Sequence, residues 1–471
     1  LAIALGLAAL APTPAPAQPP MGVTSDGATT SVRVWAPNAQ SVAITGEFNG
    51  WKPSRGEMLV KDEATGIWSG TLNRSLPRGA YGFLINGNLV KRDPYGRAVT
   101  PSGDRSVFHD PASFDWTGDR APSIGLEDLV IYEMHVGAFY DPKPADNVQG
   151  TFDDATRRLD HLSDLGINAV CLLPIAEFGG NHSWGYNPSD LFAVEQAYGG
   201  PDALRRFVKA CHARGIAVHL DIVHNHYGPQ NLDLLQFDGT GDASAGGIYF
   251  YDQSELGQTP WGPRPRFSEP MVRRFIRDNV MMWIDEFRVD GFRWDSTVNI
   301  RAYNFGANAI PEGSRMLEEI NDEIRRRYPG KWSIAEDSYD IGNFHGSWDY
   351  DFHNLIAPAL AKNNDADRDL IAISSALQRY GRMDRVIYVD NHDEAGKLNN
   401  QRRIASDADS AKPGSDHARR ICGLGAVLTL TAPGIPLIFM GNEFQEYGEF
   451  HEDQPLDWSK TKLHAGTLAL H

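Results

Sequence analysis

From about residue 129 onward, short apolar runs alternate with longer stretches in which apolar residues recur every three to four positions. The short runs predict strands, and the three-to-four spacing predicts amphipathic helices. The predicted strands are 129–137, 167–174, 216–223, 289–295, 332–336, 386–391 and 435–440, with a weak one near 348–354. The predicted helices include Asp153–Leu165, Pro201–Arg214, Glu269–Phe287, Arg315–Tyr328, Asp367–Tyr380 and His417–Leu430. This α/β alternation favours a (β/α)₈ barrel, the TIM-barrel fold, over a doubly wound sheet.

The region before this alternation has a different pattern. Residues 25–112 contain short runs of alternating apolar and polar residues, such as Ser31–Trp35, separated by turn residues. This pattern predicts a small all-β sandwich. Residues 113–127, with their Pro and Gly, indicate a linker, and 128–465 would form the barrel. Within the barrel, residues 227–268 are rich in Gly, Pro and aromatic residues, which indicates a lid or an inserted subdomain.

The chain begins with an apolar run that is too short to span a membrane, followed by Pro-rich sequence containing Ala15–Ala17. An apolar run followed by small residues is typical of a secretory signal peptide. We therefore predict that residues 1–20 are a signal-peptide-like leader, truncated because the basic n-region is absent. A disordered Ala/Pro leader is the alternative. With a signal peptide the protein would be secreted or periplasmic, and otherwise cytoplasmic.

The composition narrows the range of partners. The net charge is −17, which argues against nucleic acid or an anionic membrane as a partner and fits a neutral substrate. The 11 Trp and 16 Tyr residues could contact sugar rings, although most would belong to the core. The three cysteines are Cys171, Cys211 and Cys422, and their spacing matches no metal-binding motif.

Three of the predicted strands deliver a carboxylic acid at their C-terminal ends, namely Asp295, Glu336 and Asp393. Arg293 lies two residues before Asp295, so both side chains project to one face, where the guanidinium would keep the carboxylate ionised. A structural salt bridge is the alternative interpretation of this pair. Glu336 follows an apolar run, so burial should raise its pKa, as a general acid requires.

Other polar residues at strand ends complete a ring, namely Asp221, His226 and His392. A pair of carboxyl groups, one charged and one protonated, is the arrangement that cleaves glycosidic bonds. A divalent metal site is the alternative use of clustered acids, but it would need more His and Asp ligands per strand end. The sequence therefore favours glycoside chemistry.

Four segments, in chain order, resemble the four signature regions of the α-amylase superfamily of glycoside hydrolases and transglycosidases. They are Asp221–His226, Gly291–Asp295, Ala335–Glu336 and Asn391–Asp393. The sandwich, with Gly46–Trp51, resembles the carbohydrate-binding module of branching and debranching enzymes. The resemblance implies a retaining mechanism on an α-glucan polysaccharide or malto-oligosaccharide, with the two catalytic carboxyl groups about 5–5.5 Å apart.

The resemblance also implies a role for each matching residue. Asp295 would be the nucleophile, Glu336 the acid/base, and Asp393 would hold the sugar hydroxyls and favour the distorted ring. The substrate-binding residues would be Tyr186, which would stack beneath the reactive sugar, Asp221, His226, Arg293 and His392. No cofactor is required, but calcium is possible, because Asn225 matches a calcium-binding position of many amylases. A structural hydrogen bond is the alternative for Asn225.

Two segments resemble the end of the barrel in 1,4-α-glucan branching enzymes, namely Phe439–Phe444 and Pro455–Trp458. They favour branching, in which a cleaved chain is transferred to form an α-1,6 branch. Asn225, Ser296 and the leader fit an α-amylase-type hydrolase of starch, glycogen or malto-oligosaccharides, which is the alternative. A non-catalytic glucan-binding protein is a third possibility, against which the intact acids weigh. A C-terminal β-domain is expected beyond the sequence.

Overall fold

A computed structural model describes residues 20–471 except 102, 147, 305, 338–342, 363, 379–381 and 398–401. The predicted leader therefore lies outside the described residues, apart from Pro20. Among the described helices, none has the length and apolar character needed to cross a membrane.

The N-terminal region contains only short strands. They are Gly22–Ser25 (β1), Thr30–Trp35 (β2), Val42–Gly46 (β3), Val60–Asp62 (β4), Ile67–Leu72 (β5), Ala80–Ile85 (β6), Leu89–Lys91 (β7) and Ser106–Val107 (β8). One antiparallel sheet has the order β1-β2-β5-β4, and the other joins β3, β6 and β7, with β8 paired to β6. Val34, Ile44 and Phe83 are buried in the core. The predicted all-β sandwich domain is thus confirmed.

The strands that follow belong to the second, larger region of the chain. They are Ile131–Met134 (β9), Ala169–Leu172 (β10), Ala176–Phe178 (β11), Pro188–Val194 (β12), Ala217–Ile222 (β13), Gly291–Trp294 (β14), Ala302–Tyr303 (β15), Asn308–Ala309 (β16), Trp332–Ala335 (β17), Gly346–Trp348 (β18), Arg385–Ile387 (β19) and Ile435–Phe439 (β20). In the described part of the chain, eight of them close a parallel barrel in the order β9-β10-β13-β14-β17-β18-β19-β20. This confirms the (β/α)₈ prediction, and it brings the C-terminal ends of all eight strands to one rim.

Helices alternate with these strands. They are Val136–Phe139 (α1), Phe152–Thr156 (α2), Leu159–Asp164 (α3), Gly200–His212 (α4), Pro270–Phe287 (α5), Val298–Arg301 (α6), Pro311–Arg327 (α7), Tyr350–Leu360 (α8), Leu370–Gln378 (α9), His392–Ala395 (α10), Ile404–Ala408 (α11), Asp416–Thr431 (α12), Lys460–Leu463 (α13) and Ala465–Leu468 (α14). The helix predicted over Asp153–Leu165 is divided into α2 and α3.

One strand was predicted in the wrong place. The weak strand expected near 348–354 is instead β18, which ends at Trp348, and the following residues form α8. The reason is the cap at Asp349, whose carboxylate accepts hydrogen bonds from Asp351 N (3.0 Å) and Phe352 N (3.2 Å). These bonds satisfy two free N–H groups of the first helical turn, and therefore start a helix where the sequence pattern is apolar enough for a strand.

The segment predicted as a linker lies against the barrel. Asp119 approaches His212 Nδ1 at 2.8 Å and accepts a hydrogen bond from Arg288 at 2.7 Å. The sandwich also contacts the barrel directly, through a bidentate pair between Arg97 and Glu286 on α5. The sandwich and the barrel therefore meet through partly buried charged contacts.

Candidate active site

The three acids singled out in the sequence lie at the C-terminal ends of the barrel strands. Asp295 directly follows β14, and its N–H donates to Ile222 O (3.0 Å) on the neighbouring strand. Glu336 directly follows β17, and its N–H donates to Trp294 O (3.0 Å). Asp393 lies in the first turn of α10, just beyond β19. Parallel pairing therefore fixes the backbone of two of the acids.

Arg293 connects three carboxylates. Its Nη1 donates to Asp221 Oδ2 at 2.5 Å and lies 3.4 Å from Asp295 Oδ1, and its Nη2 lies 3.0 Å from Glu336 Oε2. The side chain is 1% exposed, and its guanidinium carbon sits 5.0 Å from the centre of the Trp348 ring. The ion pair between Arg293 and Asp295 is thus part of a larger cluster that also contains the second catalytic candidate.

Asn225 holds the Asp295 carboxylate from the other side. Its Nδ2 donates to Asp295 Oδ2 at 2.6 Å and to Asp295 O at 3.0 Å. Its Oδ1 lies 2.5 Å from His226 Nδ1. Because both ends of the amide are in hydrogen bonds, these contacts favour the structural role for Asn225. Among the described residues, no group of three or more His, Cys, Asp and Glu side chains is arranged to hold a metal ion.

The environment of Glu336 favours its protonated form. Burial raises the pKa of Glu336 well above the usual range for a glutamic acid. The positive charge of Arg293 lowers this pKa, and the negative charges of Asp295 and Asp393 raise it further. This is the direction predicted from the apolar run before Glu336. Its Oε2 accepts a hydrogen bond of 2.6 Å from Ser296 N. Ser296 has a φ of 40°, which non-glycine residues seldom adopt, so the chain is held in an unusual conformation between the two acids.

Tyr186 joins the remaining predicted residues. Its hydroxyl donates to Asp221 Oδ2 at 2.6 Å and lies 2.7 Å from His392 Nε2. Its ring stacks on the His392 imidazole, with 5.2 Å between ring centres. His226 Nε2 lies 2.7 Å from the carbonyl oxygen of Tyr186. The structure therefore brings all of the predicted site residues to one rim.

Glu133, on β9, is a site residue that the sequence analysis missed. Its two carboxylate oxygens lie 2.8 Å from His392 Nδ1 and 3.0 Å from His392 N, which donates to it. Burial favours neutral His392, but Asp393 and Glu133 together raise the pKa of His392 to about 10, so the imidazole is charged at neutral pH. The available signal was an acid within the otherwise apolar run Ile131–Met134, because a charge buried in a strand requires a partner.

Trp261, in the segment 227–268, was also missed. Its ring lies 5.4 Å from that of His226, yet the residue is 50% exposed. An exposed large apolar side chain beside a cluster of buried charges marks a candidate contact surface for a ligand. Periodicity gives no signal for such a residue, because the segment contains neither helix nor strand.

Comparisons with known proteins fit this geometry. Residues 110–239 match the family model of the alpha amylase catalytic domain, and residues 20–96 match that of carbohydrate-binding module 48, the isoamylase N-terminal domain. The malto-oligosyltrehalose trehalohydrolase of Saccharolobus solfataricus is 30% identical to this chain, over 89% of this chain and 76% of the relative. The chain belongs to the α-amylase superfamily.

Other similar proteins are named for different reactions. The 1,4-alpha-glucan branching enzyme of Methylococcus capsulatus is 28% identical, over 93% of this chain but 62% of that enzyme. Among solved structures, the pullulanase of Paenibacillus barengoltzii, in complex with maltohexaose and alpha-cyclodextrin, superposes with a TM-score of 0.78 at 21% identity, covering 96% of this chain and 80% of that one. This chain is thus an enzyme of the α-amylase superfamily whose relatives differ in the reaction they catalyse.

Proposed function

We propose that this enzyme cleaves α-1,4-glucosidic bonds of α-glucans by a retaining double displacement. The observation that carries the proposal is the buried contact of one guanidinium, that of Arg293, with Asp295 and Glu336. Two carboxyl groups in one cluster, one of them kept protonated, are what this reaction needs. Arg293 also supplies the positive charge that balances them.

In the first step, Glu336 donates its proton to the glycosidic oxygen while an Asp295 oxygen attacks the anomeric carbon. The glycosidic C–O bond breaks, the leaving chain departs with a hydroxyl group, and a covalent glycosyl-enzyme forms. In the second step, ionised Glu336 accepts a proton from the incoming hydroxyl, which displaces Asp295. The hydrogen bond from Asn225 and the contact with Arg293 keep the nucleophile in one orientation.

The other residues would bind the sugar. Asp393 is 19% exposed at its side chain and lies 3.5 Å from charged His392, so it remains open to sugar hydroxyls. Tyr186 and His392 stack on each other and form a rigid surface beneath the site. Preorganised groups of this kind favour the transition state, because they need no rearrangement as charge develops.

For the acceptor we propose a sugar hydroxyl, so that the reaction forms α-1,6 branches. Support comes from the branching-enzyme relative, which aligns with 93% of this chain, and from the N-terminal match to carbohydrate-binding module 48. Hydrolysis is the second candidate. A specific observation favours it: the trehalohydrolase relative is covered over 76% of its own length, against 62% for the branching enzyme.

Incubation with amylose tests the proposal. Branching should reduce the iodine colour, create few new reducing ends and yield short chains after treatment with a debranching enzyme. Hydrolysis should instead release one reducing end per bond cleaved, with no 1,6-linkages. If hydrolysis is found, a parallel incubation with malto-oligosyltrehalose should release trehalose only from an enzyme that acts like the trehalohydrolase relative, and not from an α-amylase-type hydrolase.

The Asp295→Ala variant is the matched control for catalysis. If the enzyme acts as proposed, this variant should bind amylose but release no product, because the nucleophile is gone. Unchanged turnover of amylose by this variant would disprove the mechanism. Binding of amylose without turnover by the native enzyme would instead support a glucan-binding protein.

A further inference from the structure

The N-terminal sandwich holds a part of the barrel that reaches the active site. We call residues 227–268 the insertion loop. Arg92, which follows β7 and is 3% exposed, donates to Asn231 O and to Asn231 Oδ1 (3.2 Å). Its own N–H donates to Asp233 Oδ2 at 2.7 Å, and Lys91 Nζ donates to Leu235 O at 2.8 Å. Two consecutive sandwich residues thus bind one end of the insertion loop.

Arg92 is suited to this task because its guanidinium also contacts the barrel. Its Nε donates to Asp190 Oδ1 on β12 at 2.8 Å, and its Nη1 donates at 2.6 Å to Gly103 O, which lies within the sandwich between β7 and β8. A planar guanidinium can hold several acceptors in a fixed geometry, which a lysine cannot do. Removal of this buried cation would leave Asp190 and Asp233 without its compensating charge, so their positions would change.

The other end of the insertion loop forms a tight turn at the active site. Trp261 N donates to Thr259 Oγ1 at 3.2 Å, and Thr259 donates to Gly262 O from both its N (3.2 Å) and its Oγ1 (2.8 Å). A Cβ on Gly262 would lie 1.9 Å from Tyr227 O, so only glycine fits the turn. The turn therefore fixes the backbone that presents Trp261 beside His226.

A continuous set of contacts joins the two ends. Phe237 packs on Tyr249 with 5.8 Å between ring centres, and Tyr249 O accepts a hydrogen bond of 2.8 Å from Arg266 N. Tyr251 N donates to Arg264 O (3.3 Å), and Tyr227 N donates to the neighbouring Pro263 O (3.1 Å). Neither end can therefore shift far without moving the residues between them.

We propose that Arg92 is a positioning residue: by holding Asn231 and Asp233 it fixes the insertion loop, and through it places Trp261 beside His226. The sandwich thereby sets the shape of one wall of the active site. Given the proposed function, this wall contacts the glucan chain. Loss of Arg92 should then weaken the use of long chains more than it slows the bond cleavage itself, since Arg92 touches no catalytic residue.

Hydrogen exchange tests the positioning without any substrate. The matched variants are Arg92→Ala and Arg97→Ala, because both remove an arginine that joins the sandwich to the barrel. Arg97 binds Glu286 on α5, with distances of 2.9 and 2.5 Å, and not the insertion loop. In Arg92→Ala, backbone amides of residues 255–266 should exchange faster, whereas in Arg97→Ala they should exchange as in the native enzyme. Equal exchange in the two variants would overturn the proposal.

Enzyme kinetics with maltoheptaose and with a short chromogenic glucoside provide a second test of the role of Arg92. For Arg92→Ala we expect about a threefold rise in KM for maltoheptaose, smaller than the rise on removal of Trp261 itself, with kcat and the rates on the short substrate nearly unchanged. An equal loss on both substrates would indicate a general structural defect and contradict the proposal. If neither substrate is cleaved by the native enzyme, the proposed function fails, while the exchange result still decides the role of Arg92.

Two further variants keep the test decisive. If Arg92→Ala does not fold, Arg92→Lys can replace it. Lysine keeps the positive charge but lacks the several fixed N–H donors of the guanidinium, so amide exchange should become faster in residues 255–266 and nowhere else. The double variant of Arg92→Ala with Trp261→Ala should raise KM by no more than Trp261→Ala alone, because both changes act through the same ring. Additive effects would show that Arg92 does not act through Trp261.

Discussion

The catalytic rim and the insertion loop are built in opposite ways. On the rim, charged side chains touch one another: Arg293 is 1% exposed and contacts three carboxylates. In the insertion loop, backbone hydrogen bonds and distant sandwich contacts hold Trp261, which is 50% exposed. The residues of the rim are therefore arranged to cleave the glycosidic bond, and the insertion loop is arranged to contact the glucan chain and so to influence which substrates bind. A change on the rim should alter the bond cleavage itself, and a change in the loop should alter mainly the use of long chains.

The sharpest test of the rim is Asp295→Asn. Asparagine keeps the shape and one of the two acceptor oxygens but cannot form the glycosyl-enzyme, so kcat should fall by at least about 10⁴-fold on every substrate. The measurement is kcat on amylose and on a short chromogenic glucoside, with circular dichroism to verify the fold. A loss confined to amylose would mean that Asp295 acts in substrate selection, like the loop.

Glu336→Gln should have the next largest effect. Without a proton donor, cleavage of natural glucosides should slow by about 10³-fold, whereas glucosides whose leaving group needs no proton should be cleaved at a nearly native rate in the first step. In the native enzyme, burial raises the pKa of Glu336, so the loss of activity on the alkaline side should occur at a higher pH than an ordinary glutamic acid would give. Equal losses for good and poor leaving groups would contradict the role of Glu336 as the acid.

The features that could be predicted from the sequence are those that depend on a local pattern of residues. Asp295, Glu336 and Asp393 could be placed because a strand's period fixes its faces and parallel strands end at one rim. The helix α8 could not, because its start depends on the cap at Asp349. Glu133 was missed because its partner, His392, is 259 residues away in the sequence. The acid in an apolar run indicates that a partner exists, but no local pattern identifies a partner so far along the chain.

Glu133→Gln tests how the rim keeps His392 charged. The pKa of His392 is about 10 in the folded protein, because Asp393 and Glu133 outweigh burial, and about 6.5 in the unfolded chain. Between these values the folded state binds more protons, so His392 stabilises the protein fully below about pH 6.5 and loses that contribution as pH rises through 10. Removing the Glu133 charge lowers the folded pKa, so the decrease in Tm between pH 7 and 10 should become shallower.

The control for this variant is Glu318→Gln, on the exposed face of α7. It removes the same charge from a solvent-exposed position, so its Tm should change with pH as in the native enzyme. If Glu133→Gln also keeps the native dependence, Glu133 does not set the charge of His392. In activity, we expect Glu133→Gln to cost about 10²-fold in kcat, because His392 and Tyr186 would lose their fixed position.

Trp261→Ala should have the smallest effect, and it tests the loop side of the comparison. A half-exposed indole that contacts a sugar face contributes about 1 kcal/mol, so KM for maltoheptaose should rise by about fivefold, while kcat on the short substrate stays native. Trp261→Phe, which keeps an aromatic face, should recover most of the affinity. If Trp261→Ala instead lowers kcat on both substrates, as Asp295→Asn does, the indole supports the neighbouring His226 and the catalytic rim extends into the insertion loop. The boundary between the two regions would then lie at the turn Thr259–Gly262 rather than at His226.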